Sequence, residues 1–316
     1  MQKIVPFRKA SLKSTPATAV FRFVFLLLCL SLLLYSAPAS ADKIKVVATI
    51  APLADFARQV GGDKVEVTLL LPPGASPHTY EPTPKVVREL SQASLFLKIG
   101  SGLEFWADRL LKAAPANIRT VDSSAGVDLI KGLPHDHGHA HQKRDEQANT
   151  DPHIWLDPLI CTQIITKIET ALSRIDPSGA LYYKKNAAVY QEKLRELDKE
   201  ISGRTKLFRT REYVTFHSAW NYFSRRYGLK VAAVIEESPG KEPAPRHVKK
   251  IIEILKSLNT RVIFAEPQFS PKIAETIAGE AGAKVLFLDP EGGQKGRETY
   301  IEMMKYNLAV MEKALK

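Results

Sequence analysis

The sequence contains one internal repeat, and this repeat restricts the fold more than any other feature. Each copy has an apolar strand, a helix that ends at glycine, a second strand, a helix that begins with proline, and a third strand. Three pairs of residues share an offset of 167 positions: Phe56 with Phe223, Gly61 with Gly228, and Asp122 with Asp289. Two such copies predict an α/β fold with two similar lobes of parallel sheet flanked by helices.

The element boundaries follow from apolar spacing and from Gly and Pro positions. In the first copy we predict a strand and helix over 46–62, a strand over 65–71, a helix over 84–91 and a strand over 95–99. The counterparts in the second copy are 213–229, 230–237, 245–258 and 262–265, and the fourth strands should end at Asp122 and Asp289. The stretch 177–203 is rich in Lys and Glu and places its apolar residues on one helical face, which predicts a rigid linking helix of about twenty residues. The predicted domains are therefore 42–176, the linker 177–203, and 204–316.

Residues 1–41 have the pattern of a secretory signal peptide. A basic start without acidic residues precedes the apolar run Phe23–Tyr35, and Ala39-Ser40-Ala41 is typical of a cleavage site. We expect cleavage after Ala41 and a periplasmic mature protein beginning at Asp42. A membrane anchor is the alternative, but the apolar run is shorter than the ~20 residues that span a bilayer.

The charge and cysteine content narrow the class of protein. The net charge of +11 falls to +6 once the five cations of residues 1–41 are removed, and no stripe of basic and aromatic residues is present, so we expect no nucleic-acid partner. Cys161 is then the only cysteine, which rules out an internal disulfide. It is predicted to be a small buried residue, with a thiolate metal ligand as the alternative.

The stretch Asp151-Pro-His-Ile-Trp-Leu-Asp-Pro158 holds one histidine in a constrained position. Each Asp-Pro step disfavours helix, so His153 should lie on a fixed turn ahead of a helix that covers Leu159–Ser173. A histidine held in this way is either a ligand or a packing residue.

Polar residues follow the strand ends of both predicted lobes. His217 ends the first strand of the second lobe, His78 follows the second strand of the first lobe, His153 follows the first sheet, and Asp289 ends the last strand. Ligands of open α/β sheets bind at the carboxyl ends of strands, so these four should converge on the cleft between the lobes. Three imidazoles and one carboxylate suit a tetrahedral divalent metal.

Each of these residues also has a simpler interpretation. A single histidine after a strand is commonly a surface or packing residue, and Asp122 shows that an aspartate at the place of Asp289 can cap a turn. Glu81 and Glu266 lie near strand ends and could compete as ligands. His247, in the first turn of a predicted helix, is expected to be a solvated surface residue.

Four histidines alternate within 133–150, at His135, His137, His139 and His141. Only Ala140 among their neighbours is apolar, so the stretch cannot pack as a core and is predicted to be a mobile loop. Histidine-rich tracts bind transition metals, which makes an auxiliary metal site the favoured interpretation over an incidental polar loop.

Four stretches together resemble the solute-binding receptors of ATP-driven zinc and manganese importers, the ZnuA/TroA-like family. They are Pro73-Gly-Ala-Ser-Pro-His-Thr-Tyr-Glu-Pro-Thr-Pro84, Asp151-Pro-His-Ile-Trp-Leu-Asp-Pro158, Phe216-His-Ser-Ala-Trp220 and Leu288-Asp-Pro290. The resemblance implies metal ligands at His78, His153, His217 and Asp289, and two lobes joined by a rigid helix. The chain departs from some zinc members because it cannot form a disulfide in the second lobe and because its histidine-rich loop is short.

The resemblance implies a function as well as a fold. We expect a monomeric receptor that captures Zn²⁺ and delivers it to a membrane permease driven by a cytoplasmic ATPase. A manganese receptor or a metal-dependent adhesin on the same fold is the alternative, and a zinc hydrolase is the alternative of a different class. No phosphate-binding glycine motif is present, so ATP hydrolysis by this chain is not expected.

Overall fold

The computed structural model describes residues 42–113, 118–131, 150–238, 240–258 and 261–316. The predicted signal peptide and the four histidines at His135, His137, His139 and His141 lie outside these ranges. Within the described part, no helix combines the length and the apolar character required to cross a bilayer.

The first lobe is built on a four-stranded parallel sheet. Its strands are β1 (Ile44–Ala48), β2 (Val65–Leu69), β3 (Leu95–Lys98) and β4 (Arg119–Asp122), in the order β2-β1-β3-β4. Its helices are α1 (Ala51–Gly61), α2 (Pro84–Ser91), α3 (Ala107–Ala113) and α4 (Pro158–Ile175). Proline occupies the first turn of α1, α2 and α4, where its missing N–H costs no hydrogen bond.

The second lobe repeats this arrangement. Its strands are β5 (Glu212–Thr215), β6 (Lys230–Val234), β7 (Val262–Ala265) and β8 (Lys284–Phe287), in the order β6-β5-β7-β8. The helices after the linker are α6 (Asn221–Tyr227), α7 (Pro245–Ser257), α8 (Lys272–Ala281) and α9 (Tyr300–Leu315). Both sheets are parallel throughout and place the first strand of each copy second in the order, so the internal repeat of the sequence is a repeat of the fold.

The linking helix α5 spans Ala180–Thr205, which is 26 residues, and follows a 3-10 turn over Pro177–Gly179. It packs against α4, α1 and α9. Its buried face includes Tyr190 and Leu194, within one hydrophobic core that also contains residues of both lobes. The linker is therefore part of the core as well as a connection.

Buried hydrogen bonds also connect the two lobes directly, in addition to the linking helix. Trp155 Nε1 donates to the carbonyl of Pro290 at 2.7 Å, and the Tyr300 hydroxyl donates to the carbonyl of Trp155 at 2.8 Å. The Asp55 carboxylate in α1 accepts from the Tyr190 hydroxyl and from the backbone N–H of Tyr300, both at 2.9 Å. One carboxylate thus connects the first lobe, the linking helix and the start of α9.

Candidate metal centre

Three different local structures position the three histidines. His78 lies in the irregular loop between β2 and α2, where Pro77 and Pro82 exclude regular structure. His153 precedes a 3-10 turn over Ile154–Leu156, as the two Asp-Pro steps predict. His217 follows β5 in an extended conformation.

The fold brings these histidines together with their Nε2 atoms facing one another. Nε2 of His153 lies 3.1 Å from Nε2 of His78 and 3.2 Å from Nε2 of His217. All three ligand atoms lie within 4.8 Å of each other. A tetrahedral ion with Zn–N bonds of 2.0–2.1 Å separates its ligands by about 3.3–3.4 Å, so the cluster needs only a small expansion to hold one.

The side chains behind the cluster orient two of the rings. Asp151 Oδ1 lies 2.8 Å from Nδ1 of His153, and Glu266 Oε2 lies 2.6 Å from Nδ1 of His217. A carboxylate next to Nδ1 favours the tautomer that leaves the Nε2 lone pair free for a metal.

Burial favours the neutral ring of His153, which metal binding needs. His153 and His217 are 2% and 3% exposed, and His78 is half-buried. Burial lowers the pKa of His153 below its ordinary value, although Asp151 opposes this shift. His153 therefore stays neutral, and able to bind a metal, at pH values at which an exposed histidine would be partly protonated.

Asp289 does not join the group of three in this arrangement. Its fully buried Oδ1 accepts from Gln268 Nε2 at 2.9 Å and from the backbone N–H groups of Glu291 and Gly292 at 3.1 and 3.0 Å. Its Oδ2 lies 3.2 Å from Arg297 Nη1. Protein groups thus contact both of its oxygens.

Three acidic residues near the histidines were not given their structural roles by sequence reasoning. Asp151 was treated only as part of a turn, and Glu266 was considered as a rival ligand, but both contact the far side of a histidine ring. Glu291 was given no role, although it is 5% exposed and its Oε2 has no hydrogen-bond partner within the described residues. Burial, and after it the charges of Asp289, Glu266 and Glu104, raise the pKa of Glu291 well above its usual range. The only signal in the sequence was its place two residues after Asp289.

The surroundings of Cys161 and His247 bear on two other expectations. Cys161 is fully buried on α4, with its thiol 3.2 Å from the carbonyl of Trp155, as its prediction as a small buried residue requires. His247 was expected to be solvated, but it is half-buried, and its Nε2 lies 2.8 Å from the carbonyl oxygen of Val234. The prediction for His247 was wrong because α7 covers the edge strand β6.

The lobes approach each other closely around the cluster. A methyl group added at Gly240 would lie 3.1 Å from Cγ2 of Thr79, and one at Gly293 would lie 3.1 Å from Cβ of Ala51. Gly293 also has a φ of +75°, which residues other than glycine rarely adopt. The two lobes are therefore close to each other at Gly240 and Gly293, while His78 remains partly exposed.

A family model and a curated relative both match most of the chain, and both are zinc-uptake proteins. The family model described as ZnuA, zinc-uptake complex component A, periplasmic, matches residues 46–314. The high-affinity zinc uptake system protein ZnuA of Bacillus subtilis (strain 168) is 33% identical over 287 residues, which cover 89% of this chain and 90% of that protein.

The other similar proteins include a longer relative and a solved structure. The zinc-binding lipoprotein AdcA of Streptococcus pneumoniae (strain ATCC BAA-255 / R6) is 33% identical over 277 residues, or 85% of this chain, and the match spans 55% of AdcA. The crystal structure of a zinc-bound ZnuA deletion mutant has a TM-score of 0.77 at 33% identity, and the match covers 87% of this chain and 99% of that one.

Proposed function

The chain belongs to the ZnuA family of periplasmic zinc-uptake components, and we propose that it is a receptor that captures Zn²⁺ and delivers it to an importer in the membrane. The observation that carries this proposal is the cluster of three imidazole Nε2 atoms within 4.8 Å of one another. Two of the three rings are almost fully buried, and carboxylates beside their Nδ1 atoms favour the metal-binding tautomer. Such a cluster suits a divalent cation that prefers nitrogen ligands.

The proposed ligands are His78, His153, His217 and Asp289. The three histidines can bind through Nε2 after a small expansion of the cluster. Asp289 would complete the shell by exchanging a contact to Gln268 or Arg297 for the metal. Glu291 is the competing carboxylate, because it is buried two residues after Asp289 and its Oε2, like Oδ2 of Asp289, has no hydrogen-bond partner among the described residues.

Zinc is favoured over manganese by the chemistry of the ligands. Imidazole suits zinc, whereas manganese prefers carboxylate, carbonyl and water oxygens. Three of the four proposed ligands are imidazoles. Because zinc outcompetes manganese at nearly any such site, the physiological metal has to be established in cells as well as in vitro.

A receptor also fits the burial of the site better than a zinc hydrolase does. A catalytic zinc keeps an open position for water and needs a path for its substrate. Here His153 and His217 are buried, and the lobes meet at Gly240 and Gly293. A narrow cleft with two of its three histidines buried is suited to enclosing an ion.

The remaining parts of the proposal concern export, partners and the histidine-rich loop. Cleavage after Ala41 would release a mature protein beginning at Asp42, which would act as a monomer and dock on a permease driven by a cytoplasmic ATPase.

The alternating histidines at His135, His137, His139 and His141 would form a weaker auxiliary zinc site. Deleting 135–141 should lower the number of zinc ions bound and leave the tight site intact. Loss of tight binding would instead assign a primary ligand to the loop.

The decisive test is metal binding by the purified protein and its His217→Ala variant. Native mass spectrometry of the parent should find one tightly bound zinc, and chelator competition should show a much weaker affinity for the variant. A matched control is His247→Ala, which removes a histidine outside the cluster. An affinity of His217→Ala equal to that of the parent contradicts the proposed site. In cells that lack the protein, poor growth under zinc chelation should be rescued by zinc, and rescue by manganese alone would contradict the choice of metal.

A further inference from the structure

The amino-terminal edge of the second sheet carries a concentration of positive charge. A cation precedes or begins each of its four strands, namely Arg211 before β5, Lys230 in β6, Arg261 before β7 and Lys284 in β8. This edge lies at the end of the lobe opposite to the strand ends that carry His217 and Asp289. The charge is therefore separate from the metal centre.

Five cations surround a cavity at this edge. The cavity has a volume of about 370 Å³ and is lined by Arg209, Arg261, Lys284, Lys313 and Lys316, together with uncharged residues. Among the residues that the structure describes, no aspartate or glutamate side chain lines it. All five cationic residues are exposed. The wall is formed by the starts of β7 and β8, by the segment after α5 and by the end of α9.

The acidic residues nearest in sequence are already paired with other cations. Glu212 accepts from Lys230 Nζ at 2.6 Å, and Glu312 accepts from Arg204 Nε at 2.9 Å. Across the described ranges, no ion pair joins a carboxylate side chain to any of the five cations around the cavity. Their mutual repulsion is offset only in part, by Glu312, whose pKa is lowered mainly by Arg204 and also by the charge of Lys316.

The backbone holds the parts of the cavity wall together. The N–H groups of Arg209 and Thr210 donate to the carbonyl of Leu315 at 2.8 and 3.2 Å, which ties the segment after α5 to the end of α9. The N–H of Lys284 donates to the carbonyl of Arg261 at 2.9 Å. The cations therefore project from a preformed surface, which lowers the ordering cost of binding a ligand.

We propose that this cavity binds a phosphate-bearing anion. The planar guanidinium groups of Arg209 and Arg261 match phosphate oxygens in pairs, and the three lysines add charge. The volume is at the lower end of the ~300–1,000 Å³ typical of small-molecule sites and leaves room for more than one phosphate group. A pyrophosphate-like group or a phosphorylated head group is the ligand class that fits both charge and size.

The two sources of such a group are a free phosphorylated solute and an anionic lipid. Leu207, which is 59% exposed two residues before Arg209, offers an apolar contact that only a lipid surface would use. The cavity and the metal centre lie at opposite ends of the strands, so either ligand could bind together with zinc. The inference does not depend on the identity of the metal.

The test compares two variants with the same loss of charge. Arg261→Gln/Lys284→Gln/Lys313→Gln removes three cations of the cavity, and Lys184→Gln/Lys185→Gln/Lys193→Gln removes three exposed cations from α5. Calorimetry with pyrophosphate, and cosedimentation with anionic and neutral phospholipid vesicles, would be measured on the purified protein at fixed ionic strength. Zinc affinity serves as the folding control for both variants.

We expect saturable binding of pyrophosphate or anionic vesicles that the cavity variant weakens at least about tenfold and the α5 variant leaves unchanged, because only the first loses charge-assisted contacts to the anion. Neutral vesicles should not bind. If the protein binds pyrophosphate but not vesicles, the ligand is a free phosphorylated solute. If it binds anionic vesicles and the variant Leu207→Ser does not, the ligand is a lipid head group. The proposal is overturned if neither probe binds, or if both variants weaken binding equally, because net charge alone would then account for it.

Discussion

The two lobes share one strand order, but their equivalent positions differ in chemistry at the edge that faces the cleft. Two pairs at the 167-residue offset are apolar in the first lobe and polar in the second, namely Ile50 with His217 and Ile99 with Glu266. Ile50 and Ile99 are fully buried core residues, whereas Glu266 contacts Nδ1 of His217 at 2.6 Å. The fold is therefore compatible with an all-apolar pair here, and the histidine–glutamate pair is an addition that serves the site.

A third pair, Asp122 with Asp289, has the same residue in both lobes but in different surroundings. Asp122 and Asp289 both accept a hydrogen bond from the backbone N–H two residues later, at 3.0 and 3.1 Å. Asp122 is 37% exposed and lies 3.7 Å from Lys98, whereas Asp289 is fully buried against Gln268 and Arg297. Capping the turn explains the aspartate in both lobes, but it does not explain why only one of the two is buried.

Giving the second lobe the residues of the first should have the largest effect. The variant His217→Ile/Glu266→Ile should lose zinc affinity by on the order of 10²–10³-fold, if the ~10–16 kcal/mol of a structural zinc site is divided among four ligands. Its metal-free form should melt no lower than the parent, because an apolar pair replaces a buried polar one. Chelator competition and thermal melts measure the two results. Ile50→Val/Ile99→Val is the control in the first lobe, and retained tight binding by the His217 variant would contradict the proposed site.

Removing only the charge behind His217 should have a smaller effect. Glu266→Gln keeps the size of the side chain but holds the ring less firmly, and losses of about 10–100-fold in metal affinity are typical for such partners. Glu81→Gln, an exposed acid in the His78 loop, is the matched control. The orienting role is refuted if the two variants bind zinc equally well while both melt like the parent.

Replacing Asp122 and Asp289 should show whether each aspartate only caps a turn or also binds the metal. Asp289→Asn retains an oxygen for the turn but loses its charge, so zinc affinity should fall about tenfold or more if Asp289 binds the metal. Asp122→Asn should leave zinc affinity unchanged. The same titration with Glu291→Gln identifies the fourth ligand. A greater loss in Glu291→Gln than in Asp289→Asn would move that role to Glu291.

The smallest expected effect concerns Glu104, whose equivalent in the second lobe is Pro271. Burial raises the pKa of Glu104 above its ordinary value of 4.5, although hydrogen bonds from Thr49 and the backbone oppose the shift. The stability that this carboxyl contributes is therefore full below about pH 4.5 and is lost as the pH rises through the folded-state pKa.

Glu104→Gln removes this titration. Relative to the parent, the metal-free variant should gain in Tm between pH 5 and pH 7, because ionisation of the buried carboxyl destabilises the parent alone. Melting curves at both pH values measure the difference, and Glu66→Gln, an exposed acid on β2, is the control. An unchanged pH dependence in Glu104→Gln would show that this carboxyl does not titrate in that range.

Much of the fold could be predicted because its signals are local. The proline-started α2 and the apolar strand β7 occupy the predicted ranges 84–91 and 262–265. The linking helix is longer than expected because Gly203 does not end it. This glycine has no positive φ, and the helix continues to Thr205. Strand β8 ends at Phe287, two residues before Asp289, so the aspartate lies in the turn after the strand.

The convergence of the three histidines was also predictable, because the carboxyl ends of parallel strands share an edge. The contacts behind them were not, since Glu266 and His217 are far apart in sequence and their pairing depends on the packing of β5 beside β7. The contacts of Asp289 with Gln268 and Arg297 were not predictable for the same reason, because no sequence motif links the three residues. Patterns in sequence thus indicated the clustered histidines more readily than the groups that contact them.

The division of the proposed ligands between the lobes has a consequence for how long an ion stays bound. His78 and His153 belong to the first lobe and His217 to the second, so complete escape requires the lobes to part as well as the metal–nitrogen bonds to break. The hydrogen bonds of Trp155 with Pro290 and of Asp55 with Tyr300 resist that parting. We therefore expect the residence time of zinc to be governed by how often the protein opens, and a docking partner that strains these two contacts could discharge the ion without competing for it.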